Sequence, residues 1–387
     1  MPSKRTQVLI AGGGIGGLTC AHRLRRKLPE STSITVVEPR EQFQFAPDLL
    51  WVFAGTRRPE QAARPMRKMI PKGVELVTGS VTGLDPDGHR IETSTGELTY
   101  DKLVVALGSP TVPGDLAGFS QGAHDLYSVE GALSGRDAVQ AIRGGRVVVA
   151  ITRLPFRCPA APYEAAFIAD SALTKRGVRD EVAIEVVTPE PLPMPTAGAA
   201  LGHRVAAMLA DRNISYRPLT SIEKIDPEAK TLGIGDGSTL AYDVLLAVPP
   251  HAAPAVLAKS TLAGANGYAP VDPGTLAASQ PDVYVIGDAA AVPLPGNKVL
   301  PKAGVFAHVH ANIVADRITD ELAGRVASRT FDGDGSCFLE LGGKRAGRAS
   351  GTFTSSPPKI HMNVPGWWWH VAKVGVEQYW LHPKLWR

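Results

Sequence analysis

An α/β fold built from two doubly wound halves is the prediction of this sequence, and three segments carry it. Residues 6–28, TQVLIAGGGIGGLTCAHRLRRKL, run from a hydrophobic strand through a glycine-rich turn into a helix. Residues 146–151, RVVVAI, lead through TRLPFRCPAAP into the helical run PYEAAFIADSAL, the outline of a second strand–turn–helix unit. The last 21 residues hold five of the chain's six tryptophans, a region of different character. Strands alternating with helices build parallel sheets covered on both faces, so each half reads as a Rossmann-like domain.

The first turn has the chemistry of a dinucleotide site. Gly12, Gly14 and Gly17 stand in GxGxxG register, and Glu38 ends the next strand, SITVVE, 21 residues beyond Gly17. The glycines permit a tight turn, close approach of backbone to a pyrophosphate, and close packing of helix on strand. Glu38 is placed to accept hydrogen bonds from a ribose hydroxyl. A glycine-rich turn without a ligand is the plain alternative; strand, turn, helix, second strand and terminal acid in that order favour the dinucleotide.

The second turn departs from that chemistry. No glycine occurs between Arg146 and Arg176, and Cys158 sits where a pyridine-nucleotide loop belongs. An NADH pyrophosphate needs backbone N–H groups that glycines leave accessible, so this turn is not expected to hold NADH. Cys158 stands instead near a helix N-terminus, where the dipole is expected to lower its pKa and favour the nucleophilic thiolate.

Two later strands point to FAD. YDKLVVALGS, residues 100–109, ends in a small-residue turn at Ala106 and Gly108, and PDVYVIGDAA ends a strand at Gly287 and Asp288. These resemble the exit strand and the GD motif of two-dinucleotide-binding-domain flavoproteins, of the disulfide-reductase-like fold. The resemblance implies that Asp288 binds the ribityl chain of FAD; as a bare residue it also reads as a helix N-cap.

Composition bounds the rest. The chain has 387 residues and 44% hydrophobic content, enough for two or three domains with real cores. Its 41 basic and 37 acidic residues lack a basic run, which sets nucleic acid aside. No apolar segment precedes the first strand, and no run reaches the roughly 20 apolar residues of a spanning helix. A cytoplasmic protein is therefore expected. Strand starts and Pro/Gly breaks divide it into an FAD domain of 1–109 and 243–325, a second Rossmann-like domain of 110–242 carrying Cys158, and a C-terminal region of 326–387.

The chain has only Cys20, Cys158 and Cys337, too few for a disulfide framework. Cys20 reads as core packing on the first helix. The segments FQFAPDLLWVFAG, FRCPAAPYEAAF, PKAGVFAHVHAN and FDGDGSCFLELG resemble those of sulfide:quinone oxidoreductases and the related flavoprotein subunit of flavocytochrome c sulfide dehydrogenases. That resemblance implies a redox disulfide between Cys158 and Cys337, opened by sulfide as HS⁻, with electrons passing through FAD to a quinone. It also implies a flavin-side role for Lys302, otherwise a surface lysine. Glu164, six residues beyond Cys158, is suited to relay protons; a first-turn glutamate complementing the helix dipole is the alternative. The family's third cysteine has no counterpart between residues 109 and 158.

The histidines, His124, His203, His251, His308 and His310 among them, show no metal-ligand spacing, so no metal is predicted. Trp367, Trp368, Trp369, Trp380 and Trp386 are interleaved with Lys373, Lys384 and Arg387. Indoles favour the headgroup boundary and basic side chains snorkel to lipid, so the tail reads as an interfacial anchor on the inner face of the cell membrane. A dimer interface or a tail docked on its own core is the alternative. Competing readings are a sulfide dehydrogenase subunit feeding a cytochrome, a flavin redox sensor without turnover, and a type II NADH:quinone dehydrogenase.

Overall fold

Runs of valine, isoleucine and leucine place the first strand, β1 (Gln7–Ala11), at the centre of a parallel sheet. The computed structural model describes residues 5–386, apart from the side chains of Lys384 and Leu385. From β1 the chain enters α1 (Ile15–Lys27), whose last turn carries Arg25, Arg26 and Lys27, cations that complement the helix C-terminus. The next strand, β2 (Ser33–Val37), lies parallel to β1 with Val8 opposite Ile34. Outside it lies β3 (Glu75–Val77), and β4 (Lys102–Val105) flanks β1 on the other side.

The second sheet follows the same logic. Its elements are β5 (His124–Asp125), α2 (Val129–Ala141), β6 (Gly145–Ile151), α3 (Ala161–Lys175), β7 (Val182–Val187), β8 (Ile214–Arg217) and β9 (Val244–Val248). Ser128 caps α2, its hydroxyl accepting the Gly131 N–H at 3.0 Å. The strand order is β5-β9-β6-β7-β8, all parallel. The central α3 is buried on nearly every face, with Tyr163, Phe167, Ile168 and Leu173 in the core. Each such side chain contributes about 1.5–3 kcal/mol by burial.

One boundary differs from expectation. The strand Val244–Val248 was expected to reopen the FAD domain at residue 243, yet it pairs with Val147–Ile151 of the second sheet. Five consecutive buried apolar residues suit the centre of either sheet, and periodicity does not encode the partner. The chain returns to the first sheet only with β10 (Val283–Val285), giving the order β10-β4-β1-β2-β3. The long α4 (Gly304–Leu322) then packs on α1.

The C-terminal region closes over both halves. An antiparallel sheet of β11 (Asp334–Glu340), β12 (Ala346–Thr352) and β13 (Lys359–Met362) brings Cys337 opposite Ala349. It is followed by α5 (Trp367–Leu381). Among the described residues no helix is long and apolar enough to cross a membrane.

Candidate functional site: a dinucleotide cleft beside a sulfur pair

The glycines of the first turn are there because nothing larger fits. A Cβ on Gly12, whose φ is +110°, would lie 2.4 Å from the Ala106 carbonyl oxygen, and one on Gly17 would lie 1.8 Å from that of Gly12. At Gly14, which begins α1, a Cβ would meet nothing within 4 Å. Gly12 and Gly17 therefore set the close packing of β1, α1 and the end of β4, while Gly14 leaves open space at a helix N-terminus, the geometry an anionic pyrophosphate requires. Gly108, with φ +71°, likewise faces open space beyond β4.

Glu38 is buried behind this turn, its Oε2 accepting the Gly13 N–H at 2.7 Å. Arg40 clamps the same carboxylate, with Nε 2.7 Å from Oε1 and Nη2 2.9 Å from Oε2. Burial alone would raise its pKa, but Arg40 and the Gly13 N–H hold it below the ordinary value. A carboxylate has about four lone-pair sites, so capacity for a ribose hydroxyl remains. Arg40 carries no motif, and the sequence reading missed it.

The far end of the cleft is formed by Gly287, Asp288 and Lys302. Gly287 follows β10 with φ +65°, a left-handed conformation that favours glycine. Asp288 lies in the short turn Gly287–Ala289, and burial pushes its carboxyl up against the opposing pull of Arg157 and Lys302. Lys302 is no surface lysine. Its Nζ donates to the Asp288 carbonyl oxygen at 2.5 Å and lies 3.4 Å from the Tyr268 ring centroid. Burial lowers its pKa to about 8.

This lysine is tied directly to the cysteine loop. The Cys158 N–H donates to the Lys302 carbonyl oxygen at 2.7 Å, and the Cys158 carbonyl oxygen accepts from the Ala161 N–H at 2.9 Å. Cys158 has φ +51°, an uncommon conformation for a residue with a side chain, and these two bonds hold it there. The loop has few N–H groups to offer a phosphate: Pro155, Pro159 and Pro162 have none, and those of Cys158 and Ala161 are used.

The three cysteines are free thiols in this structure. Cys20 is fully buried in α1, with its thiol pushed far up by burial. A charge on Cys337 acts on Cys158, so the two sulfurs lie within electrostatic reach of each other. The expected lowering of the Cys158 pKa does not occur. Burial dominates and raises it well above the ordinary value, and the charges of Cys337 and Glu164 push the same way. Cys337 is raised to about 11, again chiefly by burial. The Lys373 charge and the Ala161 N–H at the start of α3 pull the other way, but burial outweighs them.

Glu164 is buried rather than exposed. Its Oε1 accepts the Lys373 ammonium at 2.8 Å and the Glu340 backbone N–H at 2.7 Å. The Lys373 ammonium also lies 3.7 Å from a Glu340 carboxylate oxygen, and His370 Nδ1 lies 2.9 Å from the other. Trp51 donates its indole N–H to Glu340 at 3.3 Å, and two cations approach its ring, Arg57 at 4.9 Å and Lys373 at 5.2 Å. Burial would lower the Lys373 pKa, but the two glutamates hold it above the ordinary value. Lys373 was read as a lipid-facing residue; it is instead the charge facing Glu164 and both sulfurs.

The tail is thus turned inside out. In α5 the buried face carries Lys373, Glu377, Trp380 and Leu381, whereas Trp367 and Trp368 are 65% and 48% exposed beside exposed Val371 and Val376. The expected five-indole anchor reduces to these two. Trp380 and Trp386 pack against each other with centroids 4.9 Å apart in the core, and Trp369 is half-buried. Arg387 and the Lys384 side chain lie outside the described residues. A cavity of about 510 Å³, walled by Pro159, Lys302, Glu190 and Tyr268, opens beside the cysteine loop. Among the described residues no group of three or more His, Cys, Asp or Glu could hold a metal ion.

The family model for pyridine nucleotide-disulphide oxidoreductases matches residues 6–313, and the chain belongs to that family. It is an oxidoreductase whose cofactor is FAD. Within that class it is similar to the mitochondrial sulfide:quinone oxidoreductase of Mus musculus, 26% identical over 91% of this chain and 79% of that protein. It is also 25% identical to the sulfide-quinone reductase of Aquifex aeolicus over 97% of this chain and 90% of the relative. The X-ray structure of the Aquifex sulfide:quinone oxidoreductase superposes with a TM-score of 0.86, covering 98% of this chain and 92% of that one at 23% identity, a likeness of fold. The type II NADH:quinone oxidoreductase of Mycobacterium tuberculosis is 26% identical over 84% of this chain and 74% of its own length.

Proposed function

We propose that this chain oxidises sulfide through a Cys158–Cys337 disulfide and passes the electrons to a quinone at a membrane surface. The observation that carries the reading is one cluster: two sulfurs within electrostatic reach of each other, a buried Glu164–Lys373 pair facing them, and the Lys302 carbonyl holding the Cys158 N–H. Its relatives in mouse and Aquifex are named for the same reaction.

In this reading HS⁻ attacks one sulfur of the disulfide; an S–S bond breaks, a persulfide forms, and the other sulfur leaves as a thiolate. Burial disfavours that thiolate, and Lys373 opposes the penalty, lowering both sulfur pKa values. Glu164 takes up or returns the proton of the sulfur species, its position held by the Lys373 ammonium and the Glu340 N–H. Bound FAD supplies the two-electron relay between sulfur and quinone. Gly14 would admit its pyrophosphate in the turn that Gly12 and Gly17 keep tight, Glu38 would hold its ribose, Ala106 and Gly108 would line the exit turn, and Gly287 and Asp288 would hold the ribityl chain. The Lys302 ammonium would offset negative charge on that cofactor. The apolar pocket lined by Cys337, Pro159 and Ala160 offers the sulfur product room.

The exposed apolar face of α5 supports peripheral docking on lipid, with the charged side of the helix kept inward. The test is sulfide-driven reduction of a soluble quinone before and after alkylation of the reduced protein. Loss of activity on alkylation, protected by prior oxidation, agrees with the reading; activity that survives full modification of Cys158 and Cys337 contradicts it.

A further inference from the structure

The inner face of α5 carries a second ionisable group that the sulfur chemistry does not use. Asp48 ends the helical turn Ala46–Asp48 and precedes the short helix Leu49–Phe53. Its side chain is 0% exposed, and among the described residues neither carboxyl oxygen receives an N–H or O–H hydrogen bond. The group it meets is the carboxyl of Glu377, itself 1% exposed. Glu377 is held by Arg57, with Nε 2.5 Å from Oε1 and Nη2 2.7 Å from Oε2. Lys373, one turn earlier on α5, is the remaining charge that reaches Asp48, and it is shared with Glu164 and Glu340, the latter bonded to His370.

Two carboxylates facing each other out of water cannot both ionise; like charge and desolvation push one of them up. Glu377 has a bidentate cation, so it is the anion. Asp48 is then the acid, and its O–H donates to Glu377. Burial first and the Glu377 charge second hold Asp48 up at about 8, against weaker pulls from Arg57 and Lys373.

We propose that Asp48 is a proton store for quinone reduction, a carboxylic acid that shares its proton with Glu377 and releases it as the quinone takes up its electrons. The proposal rests on the quinone reading above. Oxidation of HS⁻ to the level of sulfur releases two electrons and one proton, whereas reduction of a quinone to quinol consumes two electrons and two protons. One further proton per turnover must therefore be drawn from water and delivered to the quinone through a protein acid. In this step the Asp48 O–H bond breaks, an O–H bond forms on the quinol, and the Asp48 carboxylate is reprotonated from water past Arg57, which lies at the surface edge of the cluster. The acid lies beneath α5, whose outer side carries the exposed Trp367, Trp368, Val371 and Val376.

The test uses the FAD-loaded protein and Asp48→Asn, which keeps a donor toward Glu377 but holds no transferable proton. Infrared spectroscopy should find in the wild type a protonated-carboxyl carbonyl band that titrates near pH 8 and is missing from the variant. Reoxidation of the reduced cofactor by a soluble quinone should slow in the wild type as pH rises through that value. In the variant it should be about tenfold slower or more at neutral pH, with the inflection gone. Absence of the band from the wild type overturns the proposal whether or not the variant folds, as does an unchanged inflection in a folded variant. Failure of the wild type to react with quinone defeats the quinone reading instead, and the infrared band still decides whether Asp48 carries the proton.

Discussion

Replacing Trp367 and Trp368 together by serine should detach the protein from lipid without disturbing its chemistry. The two indoles are 65% and 48% exposed, together about one whole side chain. A tryptophan presents about 200 Å², and at about 25 cal/mol per Å² full immersion is worth about 5 kcal/mol. Insertion to half that depth leaves about 2.5 kcal/mol, a loss of between tenfold and a hundredfold in partitioning. Exposed Val364, Val371 and Val376 remain, so residual binding is expected. Co-sedimentation with vesicles of mixed neutral and anionic phospholipid measures the effect directly. A partition coefficient unchanged within about threefold, less than 1 kcal/mol, would refute the reasoning. A dimer of the parent protein that becomes a monomer in the variant would assign the patch to a second copy of the chain. Deleting residues 366–387 would also remove Lys373 from Glu164 and strip Trp380 from the core, so the paired point substitutions isolate the surface effect.

Cys158→Ala and Cys337→Ala should each nearly abolish sulfide-driven quinone reduction while FAD stays bound, read by activity beside the flavin spectrum. Cys20→Ala, at a buried site in α1, should cost about 1 kcal/mol in denaturant unfolding and leave turnover intact. Lys373→Met strands Glu164 and Glu340 without their shared cation, so unfolding should show a loss of about 3–5 kcal/mol. The same change removes the positive charge that favours thiolate. The pH at which the reduced protein reacts with an alkylating agent should therefore move up from the already raised positions of Cys158 and Cys337. A profile that moves down would contradict that sign.

Much of this molecule is readable from local patterns. The GxGxxG turn is legible because steric exclusion at Gly12 and Gly17 leaves no other residue type, and the missing glycines around Cys158 are legible for the converse reason. What depends on distant partners is not. The five apolar residues of β9 have no preference for one sheet until β6 is beside them. The Cys158 thiol looks activated when only its helix is considered, but its burial in the folded chain decides the sign. Lys373 and Glu377 stand four residues apart on the buried face of α5, with Trp368 and Val371 on the opposite side and Trp367 and Val376 toward its edges. That spacing was available in the sequence as a polar stripe beneath an aromatic one; which side faces the core was not, because an inside-out helix has the same period as an ordinary one.

The most direct measurement is anaerobic mixing of the oxidised flavoprotein with sulfide, and separately with NADH at the same concentration, followed by flavin absorbance. Sulfide should bleach the flavin, added quinone should restore it, and NADH should leave it oxidised, because the loop between β6 and α3 offers a sulfur in place of free N–H groups. Rapid bleaching by NADH, with no response to sulfide, would contradict the account and make this chain an NADH-dependent quinone reductase.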